Sequence, residues 1–428
     1  MDRPLPQEFG RFWLGETVSS FGSSVSVLAL QTIVVLTLHG TAADIGWLNA
    51  ARWLPYLLLG LIIGALIDRR RRRPVMIGTD LARAVLLIII PVTWATGLLS
   101  LPLLLVIVVA FGAAALTNDA ASMSFIPRLV PRDRLQRAHA RLDGADAVAQ
   151  AGGPALAGLL IKVVGAPLAV LADAASYLFS ALMVATLPTP DPVPRRTSAL
   201  PDLRREIGDG VRWVYGRSGL ARLAVATHVW FAANAVVATV VAPFALRGLG
   251  LSPLQYGIAV AMAGCGGLAG ALLSTAGGSR FGTGGAIIVS HLASLLGAVT
   301  MALAGLPGLS GPAGVFPDTW TPVVVLGAGQ AAYGFGISFG NSHEMSFRQA
   351  LTPDGLQART NITMRAFNRA VMVVVAPLAG LLAVHAGELV ALLIAAGVFA
   401  LAATLLLASP FRHAQVSTGD TSVADDHG

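Results

Sequence analysis

Gly64-Ala-Leu-Ile-Asp68-Arg69-Arg70-Arg71-Arg72-Arg73-Pro74 places five consecutive arginines between two long apolar runs, Leu57 to Ile67 before them and Val75 to Gly97 after. Five guanidinium groups do not lie in hydrocarbon, so this segment belongs in water or among lipid headgroups while its flanks run through apolar surroundings. By the positive-inside bias of membrane proteins, the arginine side is expected to be the cytoplasm. That one assignment orients every other segment.

Composition points the same way. Of 428 residues, 55% are hydrophobic and 12% charged, whereas a soluble chain carries about twice that charged fraction. The expected fold class is an all-α polytopic membrane protein. The net charge of +7 comes from arginines gathered in loops on one side. It reads as topogenic charge and contact with the bilayer headgroups, with no nucleic-acid partner. Cys265 is the single cysteine, which excludes an internal disulfide and a thiolate metal site. Lys162 is the single lysine and lies outside any phosphate-binding loop, so the chain carries no Walker-type ATP site. No cofactor is expected, and a proton gradient is the expected source of energy. The polar start Met1-Asp-Arg-Pro lacks a cleavable signal pattern, so the first span is expected to be retained.

A hydrocarbon core of about 30 Å needs about 20 helical residues per crossing. On that ruler the sequence predicts twelve spans, at 12–38, 44–67, 75–97, 101–126, 141–163, 166–187, 222–245, 254–277, 284–305, 320–346, 361–384 and 388–409. The arginines then fall almost entirely on one side, and both termini join them there. The domain reading is an N-terminal six-helix half (1–187), a linker (188–221), a C-terminal half (222–410) and a disordered tail (411–428). Within the linker, Leu203-Arg-Arg-Glu206-Ile207 to Trp213-Val214 predicts an amphipathic helix on the membrane face.

The halves echo each other. Ser124-Phe125, Leu129 and Pro131 recur as Ser346-Phe347, Leu351 and Pro353, each pair 222 residues apart. Pro154-Ala-Leu-Ala-Gly158 recurs as Pro377-Leu-Ala-Gly380. Two six-span halves in the same orientation form a parallel repeat.

These residues carry a resemblance. Gly64-x-Leu66-x-Asp68-Arg69-x-x-Arg72-Arg73 is similar to the signature loop between helices 2 and 3 of the major facilitator superfamily, with Arg71 standing where that pattern has a second glycine. Together with Phe12-Trp13-x-Gly15, Ala51-Arg52-Trp53-Leu54-Pro55, Asp80-x-x-Arg83, Pro127-x-Leu129-Val130-Pro131 and Asp173-Ala174-x-Ser176-Tyr177, the chain resembles macrolide-efflux and enterobactin-exporter-like drug:proton antiporters from Phe9 to about Pro410. The resemblance implies efflux of small amphipathic compounds in a cell membrane, in exchange for protons, and not enzymatic catalysis; a monomer is the expected state. An importer, a lipid flippase or a non-transporting sensor on the same fold remain alternatives. The resemblance also implies that Asp68 bonds to the inner end of span 11 when the protein faces outward, with Arg365 or Arg369 as its partner in a latch between the halves. The matching stretch of the second half, Gly270-Ala-Leu-Leu-Ser274, has Ser in place of that aspartate.

Ionisable groups inside spans are costly and become functional candidates. Glu16 stands beside a small-residue face and Asp119 in the inner half of span 4; these are the proton-coupling candidates, with an interfacial carboxylate as the alternative for Glu16. Asp80 and Arg83, three apart, are read as a structural gate pair. Asp143 and Asp146 open span 5 and are read as acidic caps of that helix. Asn49, Arg52 and Tyr56 share one face and are cavity candidates. Phe111, Trp230, Asn234, His291, Gln330 and Tyr333 join them, a set of aromatic and amide groups suited to amphipathic ligands. Gly153, Pro154 and Gly158 partly match an antiporter motif, and close helix packing is the competing reading. His385-x-x-Glu388 has no further ligands nearby and is not read as a metal site.

Overall fold

The computed structural model describes residues 5–67, 70–189, 191, 203–216, 220–306 and 320–415. Among these residues the chain is helical throughout, without strands: α1 (Gln7–Thr32), α2 (Ala42–Ile67), α3 (Arg72–Ala95), α4 (Leu101–Leu129), α5 (Leu135–Val164), α6 (Ala166–Ala185), α7 (Leu203–Tyr215), α8 (Leu220–Pro243), α9 (Pro253–Leu303), α10 (Thr321–Leu351), α11 (Gln357–Ala386) and α12 (Glu388–Leu407). Ten of these segments are long and apolar enough to cross a bilayer. One is α9, whose 51 residues span about 76 Å, more than twice a bilayer core. It breaks at Gly282, where φ is 68°, a backbone conformation that costs glycine little. With α9 counted as two crossings and the 26-residue α2 included, the described helices supply twelve. The second half therefore turns at Gly282 and not at 278–283 as a loop. Ser274 sits inside the helix, buried beside His343.

The repeat is visible in local detail. The first helix of each half ends in a π-helical turn, Ile33–Thr37 and Phe244–Gly248, 211 residues apart. The next helix begins with the same device at the same offset. Asp44 accepts from the Thr41 N–H at 2.6 Å, and Gln255 accepts from the Ser252 N–H at 2.9 Å, each satisfying a donor that the helix start leaves free.

Two glycine seams join the halves. A Cβ on Gly46 of α2 would collide with the Ala376 carbonyl oxygen of α11, and one on Gly380 of α11 would collide with that of Ala42. Their counterparts are Gly257 of α9, whose Cβ would strike the Pro154 oxygen, and Gly158 of α5, whose Cβ would lie 2.6 Å from the Pro253 oxygen. Only glycine lets these backbones touch, the small-residue packing that replaces a hydrophobic drive inside a bilayer. Hydrogen bonds follow at the same end: Asn49 to the Ala238 oxygen at 3.1 Å, Tyr256 to Gln31 at 2.8 Å, and Arg247 to the Val35 oxygen. This is the end remote from the arginine loop, and there the halves are sealed.

At the arginine end, Arg128 and the Arg73 backbone N–H both bond Asp191, and Arg73 also donates to the Ala185 oxygen. The linker helix α7 exists but does more than lie on a membrane face. Val214 is fully buried with Ala224 and Met364, Gly210 abuts Thr363, and Asp209 pairs with Arg359 at 3.1 Å. It is docked on α8 and α11. The expected disordered tail also starts too early: Phe411 is buried against Phe347, and the Gly284 N–H donates to the Ala414 oxygen at 3.0 Å. Residues 416–428 lie outside the described residues.

Candidate functional site

The N-terminal half encloses two adjoining cavities, of about 310 and 200 Å³, which share Ser23, Arg83 and Asp119 in their walls. Glu16 of α1 lines the larger one and accepts a hydrogen bond from Ser122 at 3.3 Å. Asp119 of α4 accepts from the Tyr56 hydroxyl at 2.8 Å. Asp80 and Arg83 form an ion pair inside α3, and Asn118 donates to the same Asp80 oxygen at 3.0 Å. The Arg83 guanidinium also lies 4.0 Å from the Tyr177 ring centroid, and the Tyr177 hydroxyl bonds Ser23 at 2.8 Å. Asp173 is fully buried and accepts from Ser176 at 3.0 Å. Buried charges persist when paired, hydrogen-bonded or wetted, and each of these is. Glu16, Asp119 and Asp173 carry hydrogen bonds in place of an ion pair. Of the three, Glu16 and Asp119 line the larger chamber.

Arg52 and Arg369 meet around one tryptophan. Arg369, from α11 of the other half, lies 3.7 Å from the Trp53 ring centroid, and Arg52 lies 5.4 Å from it. Such a contact contributes up to about 2 kcal/mol when desolvated. Arg369 is therefore a contact between the halves. Arg365 is exposed. Asp68 and Arg69, the core of the expected latch, lie outside the described residues. Gly64 belongs to α2, and the buried Arg72 donates to the Arg70 oxygen at 3.2 Å.

The C-terminal half answers with neutral groups. Trp230 stacks on Tyr333 with ring planes 2° apart and donates to Ser294 at 3.1 Å. Tyr333 donates to Asn234, and Phe399 packs against both rings. Trp230 thus stands behind Tyr333, and of the two only Tyr333 reaches the wall of the central cavity. His291 is a second correction. It is 4% exposed, with Nδ1 against the Ile287 carbonyl at 2.8 Å, so it packs inside its helix and does not face a ligand.

That cavity, of about 760 Å³, lies between the halves and is walled by α1, α5, α8, α9 and α10. Gln31, Asn234, Gln330 and Tyr333 line it. Asn49, Arg52, Tyr56 and Phe111 line the 200 Å³ N-terminal cavity instead. Ser24, Asp146 and Gln150 belong to the walls of both the central cavity and the Glu16 chamber. Asp143 and Asp146 are not helix caps: α5 starts at Leu135, so both stand two to three turns inside, on the cavity. Gly153 packs on Ser24 of α1 within the first half and Gly158 on α9 in the seam between the halves, which gives both a packing role. Asp191, which ties Arg73 and Arg128 together, is not among the residues that the sequence singles out. The run Pro190-Asp191-Pro192 is its only signal there.

Comparisons with known proteins bear on this arrangement. A sequence model of the Major Facilitator Superfamily matches residues 12–368. Macrolide efflux protein A of Streptococcus pyogenes is 28% identical over 228 residues, 52% of this chain and 55% of that protein. Multidrug efflux pump Tap of Mycobacterium tuberculosis is 28% identical over 264 residues, 60% of this chain and 62% of that protein. The alignments thus span little more than half the length of these relatives. Among solved structures, nucleoside transporter NupG superposes with a TM-score of 0.70 at 14% identity, covering 94% of this chain and 99% of that one. A bacterial homologue of the iron transporter ferroportin, in an inward-facing state, gives 0.68 at 15% identity, covering 94% and 100%. At such identities the likeness concerns the fold alone.

Proposed function

Because the chain belongs to the Major Facilitator Superfamily, we propose that it exports a small amphipathic organic compound across the cell membrane by alternating access, driven by inward proton flow. The observation that carries this reading is the shared wall of Ser24, Asp146 and Gln150 between the central cavity and the Glu16–Asp119 chamber. A proton bound in the chamber changes the charge felt by a compound in the cavity across one layer of side chains, at low dielectric. The efflux names of the Streptococcus and Mycobacterium relatives support the direction. On this reading the arginine end and both termini are cytoplasmic, the cavity opens there, and the chain works as a monomer.

The mechanism follows from the parts. With the glycine seams closed at the far end, compound enters from the cytoplasmic side. Protonation of Glu16 or Asp119 removes charge from the chamber and favours the state in which water leaves it. Reversal opens the seams outward, where compound leaves. The test is accumulation of a panel of lipophilic dyes, macrolides and siderophores in pump-deficient bacteria with and without the protein. Lower accumulation that a protonophore restores is expected. Equal accumulation of every compound, with the protein present in the membrane, would overturn export.

A further inference from the structure

The sealed ends of the two halves are built on the same turn. After α1, the Leu38 N–H donates to the Ile33 oxygen and the Gly40 N–H to the Val34 oxygen. After α8, at the offset of the repeat, Leu249 donates to Phe244 and Leu251 to Ala245. All four bonds measure 2.8 to 2.9 Å. A π-helical turn shifts the backbone ladder out of its α-helical register, and the next carbonyl of each turn, Val35 or Leu246, is passed over by both bonds. A backbone oxygen left in this way beside an apolar seam needs a donor from elsewhere.

Val35 has such a donor. Arg247, from the turn of the other half, donates its Nη2 to the Val35 oxygen. Counted back by the same offset, Arg247 becomes Leu36, whose side chain has no donor to offer Leu246 in return. The bond is one-sided in an otherwise symmetric pair of turns. By the positive-inside bias a guanidinium at this end works against the topology read from the sequence, so topogenic charge does not account for Arg247. The side chain stays charged and carries several donors, and a charged donor makes a stronger bond than a neutral one. The other hydrogen bonds across this end, Tyr256 to Gln31 and Asn49 to the Ala238 oxygen, are between neutral groups.

We propose that Arg247 is a positioning residue that locks this seam: it holds the two halves together through the Val35 carbonyl and must let go before they part at this end. A bond made in only one of two states biases the equilibrium toward that state by its own strength. Arginine does not titrate in proteins, so the lock holds equally whether or not Glu16 and Asp119 carry protons. It sets the resting position against which a proton works. That place in the cycle rests on the alternating-access reading above; the lock itself does not.

The test reads the opening of the seam. Thr239 of α8 is fully buried there, and Asn49 of the other half donates to it at 3.4 Å. T239C is made in a C265S background, because Cys265 is the single cysteine and is exposed. Labelling by fluorescein maleimide is then timed in phosphatidylcholine nanodiscs. R247M keeps the bulk of the side chain and removes its donors, and is expected to raise the labelling rate about fivefold or more. R247K keeps a charged donor and is expected to stay within about twofold of the parent. A395C, at the fully buried Ala395 of α12 inside the second half, reports unfolding and is expected to label at one slow rate with or without R247M. Parent-like labelling of T239C in R247M overturns the lock, as does an equal rise at A395C or labelling in R247K as fast as in R247M. None of these readings needs transport. A seam that R247M loosens, in a protein without protonophore-sensitive export, would break the export reading and leave the lock standing.

Discussion

The two halves share a frame and differ in what they bury. Counted 211 residues on, Asp80-Leu-Ala-Arg83 becomes His291-Leu-Ala-Ser294, and Glu16 becomes Thr227. Counted 222 on, Phe111 and Tyr177 become Tyr333 and Phe399, and Asp119 becomes Asn341. The aromatic pair survives in place, with ring centroids 5.9 Å apart in the first half and 6.1 Å in the second. The charges do not. In the first half Arg83, paired with Asp80, and the acids Glu16 and Asp119 line a chamber of about 310 Å³. In the second the equivalent space holds Trp230, packed against Ser294 and Phe399. On the export reading proposed above, repeats of one helical plan divide the work: one half holds and releases a proton, and the other presents neutral surface to a ligand.

The largest expected effect breaks the charged side of this comparison. Asp80→Ala leaves Arg83 buried without its partner, which costs about 3–5 kcal/mol; thermal unfolding in detergent should show a large drop, with part of it recovered in D80A/R83A. His291→Ala, at the equivalent place, should cost clearly less. Comparable losses at both positions would mean that the halves do not differ in the way described.

The next effect tests what the halves share. Valine at Gly46 or at Gly257 drives a side chain into a backbone oxygen across the seam, an overpacking cost of about 1–3 kcal/mol. Both variants should slow transport by about tenfold, measured as initial efflux rate, because both seams must close. An effect at only one would show that the seams are not equivalent. A smaller change is expected from Tyr333→Phe, which removes the bond to Asn234 and about 1 kcal/mol; efflux of some compounds should shift by a few-fold while others are unaffected. Smallest is Asp209→Ala. Its pairs with Arg359 and Arg212 are partly exposed, so unfolding should change by no more than about 1 kcal/mol.

Much of this is legible in the chain because a bilayer imposes simple rules. Twelve apolar stretches, five arginines and a repeated Ser-Phe…Leu-x-Pro pattern lead directly to the fold. Side-chain destination is less legible. Glu16 and Asp119 stand out because acids in spans are rare, and both line the chamber. His291 stands out for the same reason, yet its ring bonds its own helix, a choice that periodicity does not encode. Asp143 and Asp146 are misplaced by sequence because apolar content sets where a span begins, whereas α5 as a helix starts earlier, at Leu135. Arg369 belongs beside Trp53, a contact between opposite ends of the chain that only tertiary packing reveals.

If the first half carries the proton and the cavity carries the compound, the two tasks can be separated. The most direct measurement compares pH-gradient-driven transport with ungated exchange in proteoliposomes, for the wild type and E16Q/D119N. The variant should lose gradient-driven accumulation and still exchange labelled for unlabelled compound at close to the wild-type rate. Gradient-driven accumulation at the wild-type level in the same variant would contradict the division of labour between the halves.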